Sequence, residues 1–383
     1  MAVFLIIVLS IYSLVNIYLF IRGWQGLEAL PYLRPYYTAL FVVLFLSYII
    51  GRILMKVSPG VFSGIMMWTG SYYMVFMLYF FLLIVLFDLF RLLNLGFHFF
   101  PAFILASWAQ FKALTFLISL ILIGALVLAG SINAARPVVR KLSLHIDKPA
   151  GKLTELKIVM ISDLHLGAII GKTRLEGIIG QVNELKPDII LLAGDVIDED
   201  VEPVMKHNLG PMLREFRSKY GVYAVPGNHE YIGGAERCIA YLQENGVKVL
   251  RDSTTRIDSS FLLVGRDDRD RPRFAGGTRA ELSVLLEEED HSQPIILMDH
   301  QPFSFDKAVE AGVDLQFSGH THAGQIWPLN YITAAIYEVD HGYLKKGNTH
   351  FYVSNGIGTW GPPVRIGNRP EIVEVHLTFS QQQ

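Results

Sequence analysis

The chain has 383 residues, of which 51% are hydrophobic and 18% charged, too apolar for one ordinary water-soluble domain of that length. Residues 1–135 hold 8 of the 68 Asp, Glu, Lys and Arg, a split that excludes disorder or a collagen-like chain and points to a membrane region followed by a soluble domain. The soluble part carries 27 basic against 33 acidic residues, a net charge of −6; no nucleic-acid partner is expected, and the lone Cys238 cannot form an internal disulfide or a thiolate zinc site.

Four apolar stretches, roughly 2–21, 37–55, 70–93 and 113–134, each approach the ~20 residues that a helix needs to cross a bilayer. The first lacks a basic leader and a small-residue cleavage site, so it is expected to be retained as a span. Trp24, Pro31, Tyr32, Pro35, Tyr36, Tyr37, Pro59 and Trp68 fall between the stretches as headgroup-level belts do, and the aromatic segment 97–111 suits the interface. Asp88 and Arg91, three residues apart, read as an interfacial ion pair; no other polar groups accompany them as an ion relay requires. Four spans leave both termini on one side, and the flanking basic residues divide five against four, so charge does not select the side.

From about residue 155 the pattern changes to short β-rich runs at 157–162, 189–193, 221–225, 294–298, 314–318 and 351–354. A helix at 172–185 places Leu175, Ile178, Ile179, Val182 and Leu185 on one face; others are expected at 202–217, 234–245, 278–289 and 304–311. This alternation predicts an α/β domain over 155–383 with strands buried on both faces, joined to the membrane region 1–135 by a linker at 136–154.

Five of the runs end in residues that bind metals: Asp163-Leu164-His165, Gly194-Asp195, Gly227-Asn228-His229-Glu230, His300 and Gly319-His320-Thr321-His322. One Asp after a strand is ordinarily a turn or a cap. Five such ends in series deliver an imidazole and carboxylate set suited to Mn, Fe or Zn, with more ligands than one ion uses. Asp267 and Asp268, after the strand-like 261–266, read equally well as a turn or as a substrate-side loop.

The ordered series D-x-H, G-D-x-x-D (Gly194 to Asp198), G-N-H-E, a lone His and G-H-T-H resembles the calcineurin-like metallophosphoesterase superfamily over about 155–378. The closing Gly356-Ile357-Gly358 and Asn368-Arg369-Pro370-Glu371 resemble its membrane-tethered bacterial branch. The resemblance implies a four-layer α/β/β/α sandwich preceded by a four-helix transmembrane region. It also implies two divalent metal ions, one held by Asp163, His165, Asp195 and His322 and the other by Asp195, Asn228, His300 and His320, with a bridging hydroxide as nucleophile. His229 is then the group over the phosphate, and Asp198 its orienting partner; Glu230 receives no role.

The function that follows is a membrane-anchored phosphoesterase acting on a phosphodiester, pyrophosphate or phosphomonoester. The apolar run 326–337 after His322 would suit acyl chains and a lipid-linked substrate, or is ordinary packing. A soluble nucleotide or small ester, with the spans only an anchor, is the alternative; a non-catalytic metal-binding receptor or scaffold is a third reading. Similar tethered members export the domain, so a multi-pass cell-membrane protein with an extracytoplasmic catalytic domain is expected.

Overall fold

The computed structural model describes residues 2–58 and 60–381; Pro59, expected in an interfacial belt, lies outside the described residues. The chain divides into two compact units, Met1–Ser131 and Ile132–Gln383.

In the first unit, long apolar runs without breakers form α1 (Ala2–Gly26), α2 (Arg34–Val57), α3 (Val61–Phe97), the short α4 (Ala102–Ala106) and α5 (Trp108–Ala134). The four long helices are each sufficiently long and apolar to cross a membrane, and Leu14, Leu40, Leu117 and Leu122 face outward, as a lipid-solvated bundle requires. With 37 residues, α3 extends ~55 Å, well past the ~30 Å hydrocarbon layer and past the expected 70–93. Where α2 and α3 cross, a Cβ on Gly70 would stand 2.4 Å from the Tyr48 backbone, so the small residue permits close approach. Asp88 is engaged by more than Arg91: it pairs with Arg22, accepts the Tyr18 hydroxyl at 2.6 Å and has Arg91 at 3.4 Å.

In the second unit the strands are β1 (Val138–Pro149), β2 (Glu155–Ile161), β3 (Ile189–Leu192), β4 (Val222–Ala224), β5 (Lys248–Val249), β6 (Ser253–Ile257), β7 (Phe261–Gly265), β8 (Ile295–Met298), β9 (Leu315–Ser318), β10 (Gly342–Lys346), β11 (Thr349–Val353) and β12 (Glu371–Ser380). The helices are α6 (Lys172–Glu184), α7 (Val201–Lys206), α8 (Asn228–Gly233), α9 (Ala235–Glu244), α10 (Arg271–Phe274), α11 (Leu282–Leu286), α12 (Phe305–Glu310) and α13 (Asn330–Ile336). Two six-stranded sheets result, ordered β1-β12-β2-β3-β4-β5 and β10-β11-β9-β8-β7-β6. Period-two alternation sorts their side chains into layers. Ile158, Met160 and Leu191 meet Leu263, Met298 and Phe317 between the sheets. Val159, Ile161, Ile190 and Leu192 turn outward onto Leu175, Ile178 and Val182 of α6. On the far side Leu262, Val264 and Leu297 pack beneath α11 and α12. This is the expected α/β/β/α sandwich.

Three expectations need correction. Within the expected linker 136–154, residues Val138–Pro149 form edge strand β1, parallel to β12; only Leu144 and Ile146 are buried, so the polar outer half hides the strand signal. The expected helix 202–217 breaks after α7, with a 3₁₀ turn over Gly210–Glu215, because Gly210-Pro211 cannot continue an α-helix. The expected helix 278–289 shrinks to α11, flanked by extended and turn residues.

Candidate metal centre

The ligand-type side chains stand where strands stop. β2 runs out into Asp163 and His165, β3 into Asp195, β4 into Asn228 and His229, β8 into His300, and β9 into His320 and His322. The parallel order of β2, β3 and β4, and of β8 and β9, brings these ends to one edge, where ligands bind in α/β sheets. Asp163, His165, Asp195, His320 and His322 all have φ between 50° and 73°. Asp and His tolerate this left-handed backbone better than most residues, and each such residue stores ~1–3 kcal/mol of strain. A Cβ on Gly227 would stand 2.1 Å from Asp195 Oδ1, and one on Gly319 2.5 Å from Asp163 Oδ2, so these glycines clear the space that the carboxylates fill.

Asp163, His165 and His322 form one group with ligand atoms within 4.8 Å of one another; Asp195, His300 and His320 form another, and Asp195 also reaches His165 and His229. His322 Nε2 is 3.6 Å from Asp163 Oδ1, and His300 Nε2 is 3.1 Å from Asp195 Oδ2. His320 Nδ1 lies 2.8 Å from Asn228 Oδ1. The arrangement fits cations on two further grounds. The Nε2 atoms of His165 and His322 face each other at 3.1 Å, and His300 Nε2 is buried without an aligned hydrogen bond while its Nδ1 lies 2.7 Å from the Ala193 carbonyl oxygen. A backbone partner on one ring nitrogen orients the other toward a metal. Together these residues make a candidate dimetal site of His and Asp.

Burial favours the neutral forms of the two histidines after β9: it depresses His322, and with nearby His300 it takes His320 down to about 3, which leaves their nitrogens free to ligate. Burial raises Asp163. It also opposes charge on Asp195, but His300, His229 and His165 outweigh it and hold that carboxyl well below its usual range. His229 is buried too, yet Asp195 and Asp198 raise it to about 9.

Asp198, expected beside His229, has Oδ1 3.1 Å from His229 Nδ1 and 3.3 Å from His165 Nδ1, so one carboxylate backs both rings. Although burial opposes it, bonding to His165 and His229 keeps Asp198 ionised. Glu230 accepts the backbone N–H groups of Gly227 at 2.7 Å, Ile197 at 2.8 Å and Asp195 at 3.2 Å, clamping two metal-site loops together. Arg365, which sequence reasoning missed, is fully buried. It donates to the carbonyls of Asn355, Gly356 and Gly358 and lies 3.2 Å from His322 Nδ1. Its position before Gly367-Asn368 was the available signal. Asp267 and Asp268, in the loop after β7, are buried; Asp267 binds Arg251 at 2.8 Å and Asp268 accepts from Gln301, next to His300, at 3.0 Å.

Fold and site define a metallophosphoesterase. Residues 156–324 match the family model of the calcineurin-like phosphoesterases. An uncharacterized metallophosphoesterase of Helicobacter pylori is 35% identical over 253 residues, 65% of this chain and 66% of that one. A transmembrane protein with metallophosphoesterase domain from Bos taurus is 34% identical over 66% of this chain and 60% of its own. An uncharacterized metallophosphoesterase of Aquifex aeolicus is 34% identical over 62% of this chain and 91% of its own. The chain thus spans just under two thirds of the first relative's length, less of the second and most of the third. It belongs to the calcineurin-like metallophosphoesterase family.

Proposed function

We propose that the protein is a membrane-anchored hydrolase of a lipid-borne phosphate ester, whether phosphodiester, pyrophosphate or phosphomonoester. In this reading Asp163, His165, Asp195 and His322 hold one divalent cation, and Asp195, Asn228, His300 and His320 a second. The supporting observation is Asp195, whose carboxylate lies within 4.8 Å of His300 and His320 and also of His165. Bound there, two ions such as Mn, Fe or Zn would stabilise charge on the phosphoryl oxygens and acidify water toward neutrality. Hydrolysis forms a bond from water oxygen to phosphorus and breaks the ester P–O bond. His229, with Nδ1 facing Asp198, would give its Nε2 proton to the leaving oxygen and be reprotonated from solvent, while the water's proton leaves to solvent.

The substrate class rests on the rim. None of the residues in α13 is buried, and Trp327, Tyr331, Ile332, Ile336 and Trp360 are between 46% and 66% exposed. The rim adjoins the site: the Trp360 ring is 6.5 Å from His229, and Tyr337, next after α13, is 6.1 Å from His320. Exposed apolar surface at the mouth of a polar centre suits a substrate with a phosphate head and an apolar tail.

Purified full-length protein with Mn²⁺ and total membrane lipids, followed by ³¹P NMR, should consume a phosphorus species that His229→Ala leaves intact. If only soluble nucleotides or small esters are cleaved, the lipid reading fails and the spans are only an anchor. Replacing Trp327 and Ile332 with Ser should lower kcat/KM for the lipid ester at least ~10-fold, from lost apolar burial, and affect a small soluble ester far less; equal losses count against the rim. The extracytoplasmic placement of this domain is part of the same proposal. It predicts that protease added to intact spheroplasts digests the domain, whereas protection would put it in the cytoplasm.

A further inference from the structure

The membrane unit contains a cavity of about 250 Å³ bounded by the last turns of α1, the C-terminal half of α3 and the start of α5. Its body is aromatic and aliphatic, with Phe80, Ile84 and Phe87 from α3 facing Phe111 and Phe116 from α5. One end is charged: Arg22, Arg91 and Lys112 line it with a single carboxylate, Asp88. Arg22 is paired with Asp88, which also accepts the Tyr18 hydroxyl at 2.6 Å. Arg91 reaches the same carboxylate only at 3.4 Å, and its guanidinium rests over the Trp108 ring, 5.6 Å from the centroid. Lys112 pairs with Glu28, which is outside the lining. Counting Glu28, whose charge Arg34 also feels, four cations share two carboxylates, so positive charge is in surplus. Uncompensated charge beside hydrocarbon is expensive unless an anion joins it, and here the same cavity is otherwise lined mainly by apolar side chains.

We infer that this cavity binds an anionic phospholipid, its phosphodiester against Arg91 and Lys112 and the first part of one acyl chain along Phe87 and Phe111. The complementarity has two components. An anionic head matches the surplus positive charge, and the volume, just under the ~300 Å³ where small-molecule sites begin, accepts the start of a single chain. A neutral lipid fills the apolar part but leaves the charge unmatched; inorganic phosphate does the reverse. The membrane unit is then a lipid-recognition element as well as an anchor, a conclusion independent of the reaction proposed for the metal centre.

The test uses the full chain in a neutral detergent, with thermal unfolding and native mass spectrometry as readouts. Phosphatidylglycerol should raise Tm by several degrees through preferential binding to the folded state and remain bound one per chain. Phosphatidylcholine and inorganic phosphate should do neither. Removing each cation should weaken phosphatidylglycerol binding roughly fivefold, so Arg91→Gln with Lys112→Gln should lose about 25-fold. Ile84→Trp, which fills the apolar body and leaves every charge in place, should also abolish the shift. Equal stabilisation by phosphatidylglycerol and phosphatidylcholine overturns the proposal. So does an undiminished shift in Ile84→Trp, since it would assign the effect to surface charge.

Discussion

Asp198 contacts two imidazoles through a single oxygen, Oδ1, which couples a metal-site ring to the proposed acid. Asp195 and Asp198 raise His229 to about 9 against the burial that would lower it, so the proton it must donate is retained at neutral pH and lost as pH rises through that value. Asp198→Asn removes one of the charges that hold the proton. The expected result is a kcat roughly 10- to 100-fold lower and an alkaline limb displaced to lower pH; a lower rate with an unmoved limb would show that Asp198 acts only on His165. The ligand-type residues were legible in the sequence because Asp, Asn and His recur where apolar strand runs end, three of the five blocks opening on a glycine: Gly194, Gly227 and Gly319. Glu230 and Arg365 were not legible as parts of the site. Glu230 accepts only backbone N–H groups and Arg365 donates mainly to backbone carbonyls, and backbone groups leave no residue-type signature.

At the scale of elements, the buried strands are legible because both faces are apolar, whereas β1 is not, because Leu144 and Ile146 are its only buried residues and its first half carries Arg140 and Lys141. Leu144 and Ile146 enter the core between the sheets; Arg140, on the same face, lies 3.6 Å from Glu371, and Lys141, on the other, lies 3.3 Å from Glu374 of β12. Deleting β1 would lose two buried aliphatic side chains, each worth ~1.5–3 kcal/mol, and bare the edge of β12 for self-association. A fragment covering 136–383 should therefore elute as one species and melt cooperatively. One covering 155–383 should aggregate, or melt about 10–20 °C lower, in size-exclusion and calorimetric comparison. Equal behaviour would mean that β1 docks without contributing to stability.

At the scale of the whole molecule, the four spans and the metal-site domain lie on one chain, so a substrate held in the same bilayer meets the site at an effective concentration set by the tether. Tethering of this kind raises apparent affinity by about 10²–10⁴ without any new contact, and it does nothing for a substrate free in solution. The 136–383 fragment isolates that effect, since it keeps β1 and every residue of the proposed site. Against a lipid phosphate ester in vesicles, the full chain reconstituted in the same vesicles should exceed the fragment in kcat/KM by roughly 10²-fold or more, and solubilising enzyme and substrate in excess detergent should erase the difference. Against a small soluble ester the two should agree within about twofold, because the chemistry resides in residues that both contain. A tethered advantage that survives detergent dilution would instead indicate that the membrane unit contributes contacts to the substrate.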